Sequence, residues 1–562
     1  MQKYSELLRE LFHKRGIRNE EEAEIFLNPD YKRDLYNPFL MRDMERACVR
    51  LYEAIEHKEK IIIYADYDCD GVPGAVILTD LFKLINYFNF EVYIPERNSE
   101  GYGLNMEAIA GFKESKVKLI ITVDLGITAV AEVAQTAVEG IDVIITDHHI
   151  PPKTLPKAYA ILNPKVDDPD APVGTGYPEK MLCGAGVVFK FVQGFLKKYG
   201  EYYNVRTGAE KWMLDMAGLA TLSDMVPLLG ENRAIATFGL KVLRKSPRPG
   251  LQKLLSNMKV DQKNITEDDV GFMLTPRLNA ASRMGSPRSA YEVLATEDIA
   301  RAGAIAEHLS EINDERKNIV VTIMREVNRT FEKRKVKEVI VVGNPKWRVG
   351  VLGLVAAKIA DEHGKPVFVW GKDENDCIRG SCRSGGAVSV VELMSTTSEY
   401  FREFGGHEGA GGFTAVAEKI HFLEDALSSS SVKLLKKKKI KHDLNNDTYH
   451  DMQLGLGDVN RKNWAEISRL APFGLGNEKP LFLFQGVKIE KVRKFGKNGS
   501  GEHLEILVSD GTGKAKAVSF FATPESFKAP LVEGKSVDLY ATFDLSRWGG
   551  REDLRLRITD VI

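Results

Sequence analysis

Three aspartates at alternate positions follow a short apolar run near the start of the chain. They are Asp66, Asp68 and Asp70, and the run before them, Lys60–Ala65, has the composition of a buried strand. Carboxylates this close repel one another unless a cation lies among them. An Asp-rich turn is the ordinary alternative, and the motif alone does not decide between a turn and a metal site.

Acidic and imidazole side chains also follow two later strand-like runs. Asp124 follows the run Lys118–Val123, and His148 and His149 follow the run Asp142–Thr146. The carboxyl ends of parallel strands meet at one edge of a sheet, where open α/β sheets bind their ligands. A lone histidine is more often a packed or surface residue, but here two of the eleven histidines are adjacent at a strand end. Together these neighbours favour metal binding.

The ligand types suit Mn²⁺ or Mg²⁺. Asp224 adds a further carboxylate after another apolar run. Oxygen-rich sites with one or two imidazoles fit these ions better than Zn²⁺, which prefers a closed tetrahedron of Cys and His. Four or more carboxylates carry too much charge for one divalent ion, whereas two ions roughly 3.5 to 4 Å apart would balance them and clamp a phosphate. We therefore expect a two-metal phosphoesterase.

Composition limits the other possibilities. The 562 residues include 78 Lys and Arg against 79 Asp and Glu, so no overall basic field attracts nucleic acid, and any positive surface must be local. The five cysteines never form a CxxC pair, which argues against disulfides and zinc knuckles. The sequence contains no run of 18 apolar residues, and we expect a cytoplasmic protein without a membrane segment.

The spacing of strand-like and helix-like runs predicts the domains that position these residues. Strands alternate with helices through the first 150 residues, which is typical of a parallel sheet covered on both faces. Apolar residues at helical spacing from 299 to 333 predict one long helix. We expect an N-terminal segment (1–45), an α/β catalytic domain (46–300), a connecting helix (301–335), a second, smaller α/β domain (336–427) and an OB-like β-barrel (440–562).

A polar stretch separates the second α/β domain from the predicted barrel. It consists of four serines (428–431) and a lysine run formed by Lys433, Lys436 to Lys439, and Lys441. A solvated linker is the preferred interpretation, and a patch that follows DNA is the alternative.

Two further segments have the chemistry of a phosphate site. Arg383, with Ser381 and Ser384 beside it in a Gly-bounded turn, offers a guanidinium fork, hydroxyls and backbone N–H groups. Gly405 and Gly406 allow the backbone to approach a ligand closely. Most single Gly-rich loops are folding turns, so neither segment is decisive alone.

In their order along the chain, these motifs resemble those of the DHH phosphoesterases, and within that superfamily the single-strand-specific DNA exonucleases. The resemblance covers residues from about 45 to 562 and implies a DHH domain, a DHH-associated domain and an OB-type domain. The matching segments are Asp66–Gly71, Arg97–Leu104, Val123–Gly126, Asp147–His149, Cys183–Phe189, Ser223–Leu228, Pro276–Arg283, Trp347–Gly353, Arg379–Ser384, Phe404–Phe413 and Ala471–Pro480.

The resemblance implies a role for each matching residue. The implied metal ligands are Asp68, Asp70, Asp124, His148 and Asp224, with Asp124 as the bridge between two ions. Asp66, Asp124 and His149 are the implied catalytic residues. His149 protonates the leaving oxygen, holds the scissile phosphate or supports His148. The implied substrate-binding residues are Arg97, Tyr102, Arg277, Asn279, Arg283, Ser381, Arg383, Ser384, Gly405, Gly406 and His407, and for Tyr102 a core position is the alternative.

The implied activity is 5′-to-3′ degradation of single-stranded DNA to 5′-mononucleotides in recombination and repair, by hydrolysis with two Mn²⁺ or Mg²⁺ ions. A DHH-type oligoribonuclease or nucleotide phosphatase, a pyrophosphatase and a noncatalytic replication scaffold are the alternatives. The predicted barrel argues against the first three, and the retained acidic residues argue against the scaffold. The expected partners are single-stranded DNA, a single-strand-binding protein and a RecQ-type helicase, and we expect a monomer.

Overall fold

The computed structural model describes residues 1–97, 99–167, 176–386, 388–438, 450–496, 503–548 and 551–562. The chain forms two compact units, one of Met1–Tyr36, Met225–Phe238 and Leu444–Ile562, the other of Asn37–Asp224 and Gly239–Asp443. All candidate site residues lie in the second unit. Among the described helices, none combines the length and the apolar composition needed to cross a bilayer.

The helices and strands are numbered in chain order. The helices are α1 (Glu6–Lys14), α2 (Glu20–Leu27), α3 (Tyr31–Asp34), α4 (Met44–Glu56), α5 (Gly71–Leu84), α6 (Met106–Glu114), α7 (Val130–Val138), α8 (Gly184–Tyr199), α9 (Leu214–Ser223), α10 (Gly230–Leu243), α11 (Pro249–Met258), α12 (Glu267–Asp269), α13 (Thr275–Met284), α14 (Arg288–Ala295), α15 (Ile299–Phe331), α16 (Leu352–His363), α17 (Val390–Thr396), α18 (Leu423–Lys438) and α19 (Arg461–Ser468). The strands are β1 (Lys60–Ala65), β2 (Phe90–Tyr93), β3 (Val117–Val123), β4 (Asp142–Thr146), β5 (Ala160–Leu162), β6 (Ile340–Gly343), β7 (Val367–Lys372), β8 (Ile378–Arg383), β9 (Phe401–Gly406), β10 (Ala410–Ala415), β11 (Met452–Gln453), β12 (Phe482–Phe495), β13 (His503–Ser509), β14 (Lys514–Phe520), β15 (Ser536–Trp548) and β16 (Arg551–Val561).

Five parallel strands form the sheet that carries the candidate site. Their order is β2-β1-β3-β4-β5, so the direction of travel across the sheet reverses between β1 and β3. Strands β1 and β3 are largely apolar, as expected for strands that helices cover on both faces of a sheet. Helices α6 and α7 share one apolar core with the sheet, and α5 packs against α8. The predicted parallel α/β domain is confirmed. Ligands bind such sheets where the order reverses, at the carboxyl ends of the strands.

The long helix α15 links this domain to the second α/β domain. Its first half packs against α11, α13 and α14, and its second half joins the apolar core around β6, β7 and α16. The second sheet has the order β6-β7-β8-β10-β9, in which β6 and β7 pair in parallel and the other neighbours pair antiparallel in the described structure. The predicted connecting helix and smaller α/β domain are therefore present.

The C-terminal strands form a closed sheet of OB type. Strands β12, β13, β14, β16 and β15 pair in this order, and β15 pairs back to β12. Closure removes the exposed edges that would otherwise pair with other chains. The OB-like domain is confirmed, but β12 was not predicted, because Gly486 interrupts its alternation and four basic residues fill its second half.

The N-terminal helices share one hydrophobic core with the C-terminal sheet. Leu8, Leu11 and Phe12 of α1 are buried together with Phe482 and Phe484 of β12. The sequence suggested only an N-terminal segment of short helices, since contacts between residues so distant in the chain leave no local pattern.

The predicted linker at residues 428–431 is wrong. Helix α18 continues through the four serines to Lys438, and Ser431 is 1% exposed. The buried side of the helix also includes Leu427 and Leu434, which lie at helical spacing on either side of the serines. Residues 439–441 of the lysine run lie outside the described part of the chain.

We predict that Leu11→Ala destabilises the unit that contains the OB-type domain. Leu11 is 0% exposed in the shared core, and removing a buried leucine side chain costs about 2–5 kcal/mol. Scanning calorimetry should show a lower transition temperature for this variant. The matched control is Glu10→Ala at the exposed neighbouring position, and equal transition temperatures for both variants would contradict the shared core.

Candidate metal centre and phosphate site

Three of the acidic side chains of the site belong to residues that directly follow parallel strands. The amide of Asp66 donates to the last residue of β3 (3.1 Å), that of Asp124 to the last residue of β4 (2.9 Å) and that of Asp147 to the last residue of β5 (3.0 Å). Each residue is therefore fixed where its strand ends. Asp66 and Asp124 flank the point where the strand order reverses, so their side chains meet in the crevice.

The loop after β1 is held by its own carboxylates. Asp68 Oδ1 accepts hydrogen bonds from the amides of Asp70 (2.8 Å) and Gly71 (3.3 Å). The two carboxylate oxygens of Asp70 accept from the amides of Gly184 (2.5 Å) and Ala185 (2.7 Å), the first residues of α8. A helix N-terminus favours an anion. Asp70 is thus held in place although it is 1% exposed.

Asp124 occupies a backbone conformation that few residues with side chains adopt. Its φ is +62°, in the left-handed region, and its side chain lies against Gly184. A Cβ atom at position 184 would lie 2.6 Å from Asp124 Cβ, so only glycine leaves room there. Among the described residues, Asp124 Oδ1 and Asp66 Oδ1 are buried without a hydrogen-bond partner. Buried carboxylate oxygens of this kind are the donors that a cation requires.

The two histidines face the carboxylates from the end of β4. His148 Nε2 lies 3.2 Å from Asp124 Oδ1, 3.7 Å from Asp224 Oδ2 and 3.8 Å from Asp70 Oδ2. His149 Nδ1 lies 3.8 Å from Asp124 Oδ1. Carboxylate and imidazole donor atoms form three groups with separations below 4.8 Å, and the groups overlap. The groups are Asp66, Asp68 and Asp124; Asp70, His148 and Asp224; and Asp124, His148 and His149.

Asp147 orients the two histidines, and the sequence did not indicate this role. Its Oδ1 accepts from the amides of His148 (2.7 Å) and His149 (3.1 Å) and lies 2.7 Å from His149 Nδ1. Its Oδ2 accepts from the amide of Ile127 (2.9 Å). Lys165 Nζ also donates to the carbonyl of His148. A carboxylate that binds Nδ1 fixes the tautomer and the orientation of the ring.

Burial and mutual repulsion shift the pKa values of the cluster. Burial, and then the neighbouring aspartates, raise the pKa of Asp66 and Asp124 well above the ordinary value, that of Asp70 to about 7 and that of Asp224 to about 9. A divalent cation reverses such shifts because it stabilises the ionised form. The donor set and its electrostatics therefore fit Mn²⁺ or Mg²⁺.

The histidine pKa values shift in opposite directions. Burial and the neighbouring His149 lower the pKa of His148 to about 4, so this ring is neutral, as a metal ligand must be. Burial also acts to lower the pKa of His149, but the hydrogen bond and charge of Asp147 outweigh it and raise that pKa. His149 is therefore the better proton donor of the two.

An arginine group lies beside the carboxylates. Burial, and then the nearby Arg97 and Arg316, lower the pKa of Arg283 to about 9, and Asp68 and Arg383 also act on it. Across the described part of the chain, none of these four arginines has a carboxylate within 4.0 Å. Unpaired guanidinium groups at close range favour an anion such as phosphate.

Strand β8 and helix α16 position the second part of this group. Ser381 and Arg383 lie on the less buried face of β8. A Cβ atom at Gly353 would lie 3.3 Å from Arg383 Nη2 and 3.5 Å from Ser381 Oγ, so this glycine keeps the space above both side chains open. Ser384 Oγ accepts from the amide of Gly386 (3.2 Å) and supports the turn.

The Gly-Gly-His segment reaches the metal cluster. The ring of His407 stacks on that of His149, with centroids 6.3 Å apart and planes at 10°. Gly406 has φ +142°, and a Cβ atom there would lie 2.4 Å from the Ala410 carbonyl, so the turn requires glycine. Gly405 has open space on its Cβ side.

Tyr102 is not a core residue. The residue is 51% exposed. Its hydroxyl donates to the Asp124 carbonyl (3.2 Å) and lies 3.4 Å from His149 Nδ1. The sequence alternative of a buried tyrosine is therefore wrong. Arg277 and Asn279, by contrast, lie on α13 before Arg283, and the described structure shows no contact of either with the carboxylates of the metal centre.

Comparisons with known proteins identify a related family for each of the three domains. Residues 60–221 match the DHH family, N-terminal domain; residues 333–430 match the DHHA1 domain; and residues 450–560 match the RecJ OB domain. The single-stranded-DNA-specific exonuclease RecJ of Bacillus subtilis is 35% identical over 99% of this chain and 67% of its own length. RecJ of Haemophilus influenzae is 28% identical over 98% of this chain and 95% of its own length. The crystal structure of RecJ from Thermus thermophilus in complex with Mn²⁺ aligns with a TM-score of 0.80 and 25% identity, over 99% of this chain and 76% of that one.

We predict that Gly184→Ala weakens metal binding about 10- to 100-fold, the range typical of lost support around a metal ligand. The added methyl group would meet Asp124 Cβ at 2.6 Å and displace that carboxylate. Isothermal titration with Mn²⁺ measures the effect. The control is Gly111→Ala on α6, where a Cβ atom has no neighbour within 4 Å. Equal Mn²⁺ affinity in both variants would show that Asp124 does not depend on this contact.

We also predict that the metal-free protein loses stability between pH 7 and 9. The pKa of Asp224 is raised to about 9, so the folded state keeps a proton that the unfolded state has released, and the free energy of unfolding falls as pH rises. His148, with a pKa of about 4, acts only at lower pH. Asp224→Asn should reduce the drop in melting temperature, and saturating Mn²⁺ should remove it. A melting temperature that is constant over this range without metal would contradict the raised pKa.

Proposed function

The chain belongs to the RecJ family of single-stranded-DNA-specific exonucleases, and on this premise we propose that its carboxylate and histidine cluster hydrolyses single-stranded DNA. One observation carries the proposal: three overlapping groups of metal-ligand atoms lie beside unpaired arginines in the same crevice. A metal cluster supplies hydrolysis, and the arginines supply affinity for a phosphodiester substrate.

The proposed metal ligands are Asp68, Asp70, Asp124, His148 and Asp224, with Asp66 completing the donor set. Asp124 is the proposed bridge because it belongs to two of the three groups, one with Asp66 and Asp68 and one with the histidines. Mn²⁺ or Mg²⁺ held by these residues would lower the pKa of water and would neutralise charge on the scissile phosphate. The rigid supports of Asp70 and Asp124 keep these ligands in place without further reorganisation.

His149 is proposed to act on the leaving side of the scissile bond. Asp147 binds its Nδ1 atom and raises its pKa, so Nε2–H is available to donate to a phosphate oxygen or to the leaving oxygen. The ring of His407 lies parallel to the same ring. The alternative is that His149 only supports His148. That role would not require the raised pKa of His149.

The proposed holders of the terminal phosphate are Ser381, Arg383 and Arg283, with Arg97 beside them. Arg383 and Arg283 are largely buried, and burial lowers the pKa of both, so an anion in this position relieves their repulsion. Ser384, Gly405 and Gly406 are proposed to shape this pocket. The exposed ring of Tyr102 is proposed to contact the terminal sugar or base. Attack from the 5′ end follows if this pocket binds a 5′-phosphate.

The remaining sequence-based expectations are part of the same proposal. They are a role in DNA recombination and repair, a cytoplasmic location, a monomeric state, interaction with a single-strand-binding protein and a RecQ-type helicase, and the domain divisions 1–45, 46–300, 301–335, 336–427 and 440–562. The OB-type domain supports the interaction with single-stranded DNA itself.

We predict that the protein degrades single-stranded oligonucleotides from the 5′ end in Mn²⁺ or Mg²⁺ and leaves blunt duplexes intact. Oligonucleotides labelled at the 5′ or the 3′ end report the polarity, because only a 5′ label is then released at once as a mononucleotide. Asp124→Ala should lower the rate about a thousandfold or more, since metal stabilisation of the transition state is worth several kcal/mol. Equal cleavage of duplex and single strand, or full activity of the variant, would disprove the proposal.

A further inference from the structure

The two histidines of the metal centre lie beyond the last residue pair that strands β4 and β5 share. The pairing runs from Ile144 opposite Ala160 to Thr146 opposite Leu162, and the amide of Asp147 adds one more bond, to the Leu162 carbonyl at 3.0 Å. The histidines that follow do not belong to a strand. Their carbonyl groups therefore need other donors if this part of the backbone is to keep a fixed position.

Two side chains from the segment after β5 supply these donors. Asn163 Nδ2 donates to the His149 carbonyl at 3.0 Å, and Lys165 Nζ donates to the His148 carbonyl. Asn163 is 0% exposed, and Lys165 is half-buried. The two side chains thus continue the interaction between β4 and β5 past the point where the backbone pairing ends.

The segment that carries both side chains is a rigid turn. The Asn163 carbonyl accepts from the amide of Val166 (3.0 Å), and Asn163 Oδ1 accepts from the amide of Lys165 (2.9 Å). Asparagine at the first position and Pro164 at the second are typical of such a turn, because proline restricts φ and asparagine bonds to the backbone two residues later. Both polar atoms of the Asn163 amide are used, so its Nδ2 is held facing His149.

The turn and Asp147 hold the same stretch of backbone through different groups. Asp147 accepts from the amides of His148 and His149, whereas Lys165 and Asn163 donate to their carbonyls. With both polar groups of each histidine bonded, the peptide planes have little freedom to rotate, and the direction of each side chain is fixed. Side chains that bind a metal or transfer a proton have to be held within about 0.5 Å of their working position.

Lys165 also brings a positive charge to the acidic centre. Burial lowers the pKa of Lys165, and Asp147 and then Asp224 act to raise it. Burial and the neighbouring aspartates raise the pKa of Asp224, and Lys165 opposes them. The attraction between the ammonium group and these two carboxylates favours the position of Nζ beside the His148 carbonyl.

We propose that Asn163 and Lys165 are positioning residues of the reaction: Lys165 fixes His148 as a metal ligand, and Asn163 fixes His149 as a proton donor. Each acts through the histidine whose carbonyl it binds, and neither contacts the scissile phosphate. This inference rests on the proposed function and deepens it, because it assigns the turn after β5 to the support of the two histidines.

The test of Lys165 compares the Mn²⁺ affinities of wild type, Lys165→Met, Lys165→Arg and Lys157→Met by isothermal titration. Lys165→Met keeps the methylene chain and removes the donor, so it should weaken Mn²⁺ binding about 10- to 100-fold, the range for lost support of a metal ligand. Lys165→Arg retains donors and charge and should restore the affinity. Lys157 is an exposed lysine shortly before β5 and serves as the control.

The sign of this effect separates support from charge. Loss of a positive charge beside a cation site would by itself strengthen Mn²⁺ binding. Equal or tighter binding by Lys165→Met would therefore overturn the role of Lys165.

The test of Asn163 measures kcat and KM on a single-stranded oligothymidylate at saturating Mn²⁺. Asn163→Asp is nearly isosteric and keeps the acceptor for the Lys165 amide, but it replaces the donor to His149 with a carboxylate oxygen. We expect kcat to fall about 10- to 100-fold, with KM near the wild-type value because the terminal-phosphate pocket is unchanged. The added negative charge would only favour a cation, so a lower kcat would not reflect lost metal.

Asn89→Asp is the matched control for this variant. Asn89 Nδ2 donates to the Lys58 carbonyl at 2.9 Å, which is the same kind of bond at the amino-terminal ends of β2 and β1, at the edge of the sheet opposite the metal centre. This variant should keep the wild-type kcat. An equal loss of kcat in both variants would show that Asn163 has no particular relation to His149.

A purely structural role gives a different result. If the variants melt at a lower temperature but keep the wild-type Mn²⁺ affinity and kcat at a temperature at which they are folded, the inference is wrong. If wild type degrades no strand with Mn²⁺ or Mg²⁺, the proposed function fails and the role of Asn163 fails with it, while the Mn²⁺ affinities still decide the role of Lys165. Substitution of Lys165 leaves the bonds within the turn intact, so this measurement also stands if Asn163→Asp does not fold.

Discussion

The mutual repulsion of buried carboxylates is the interaction on which the rest of this structure depends. Asp66, Asp70 and Asp124 are each less than 5% exposed, and burial raises the pKa of all three. The charge of Asp68 raises these pKa values further, and that of Asp224 adds to the shift of Asp124. No arrangement of protein groups alone makes such a cluster favourable. The fold holds it with bonds that do not depend on the metal: parallel strands fix the backbone, and the N-terminus of α8 binds Asp70. The free energy stored in this repulsion is recovered when a cation binds.

This constraint explains details that lie outside the set of ligands. Gly184 must be glycine because Asp124 occupies the space of a side chain. Asp147 is almost fully buried, but its pKa is lowered, because the ring of His149 and then the amide of Ile127 outweigh the cost of burial. It therefore stays ionised without a metal and orients both histidines. The protein thus satisfies Asp147 with its own hydrogen bonds, whereas Asp66 and Asp124 each keep a buried oxygen without a partner in the described structure.

The strand ends were predictable from the sequence because local patterns determine them. Apolar runs followed by Asp or His predict both the parallel sheet and the residues at its edge. In the structure, Asp124 and Asp224 each lie in a group with His148. Partnerships between distant segments were not predictable. Nothing near Asp147 in the sequence indicates that it binds Ile127, and nothing near Leu11 indicates β12 as its neighbour. The prediction of a linker at the serines of α18 was wrong for a similar reason. These serines are helical because the leucines on either side of them are buried.

The near-zero net charge is consistent with a site that combines metal-binding carboxylates with phosphate-binding arginines. Metal binding requires concentrated negative charge, and a DNA strand requires positive charge, so the same crevice needs both within a few side chains. The first α/β domain supplies the carboxylates, while Arg283 of α13 lies near Asp68 and near Arg383 of β8. A uniformly basic protein would bind the strand but would compete with its own metal ions. Local segregation of charge allows both ligands to bind side by side.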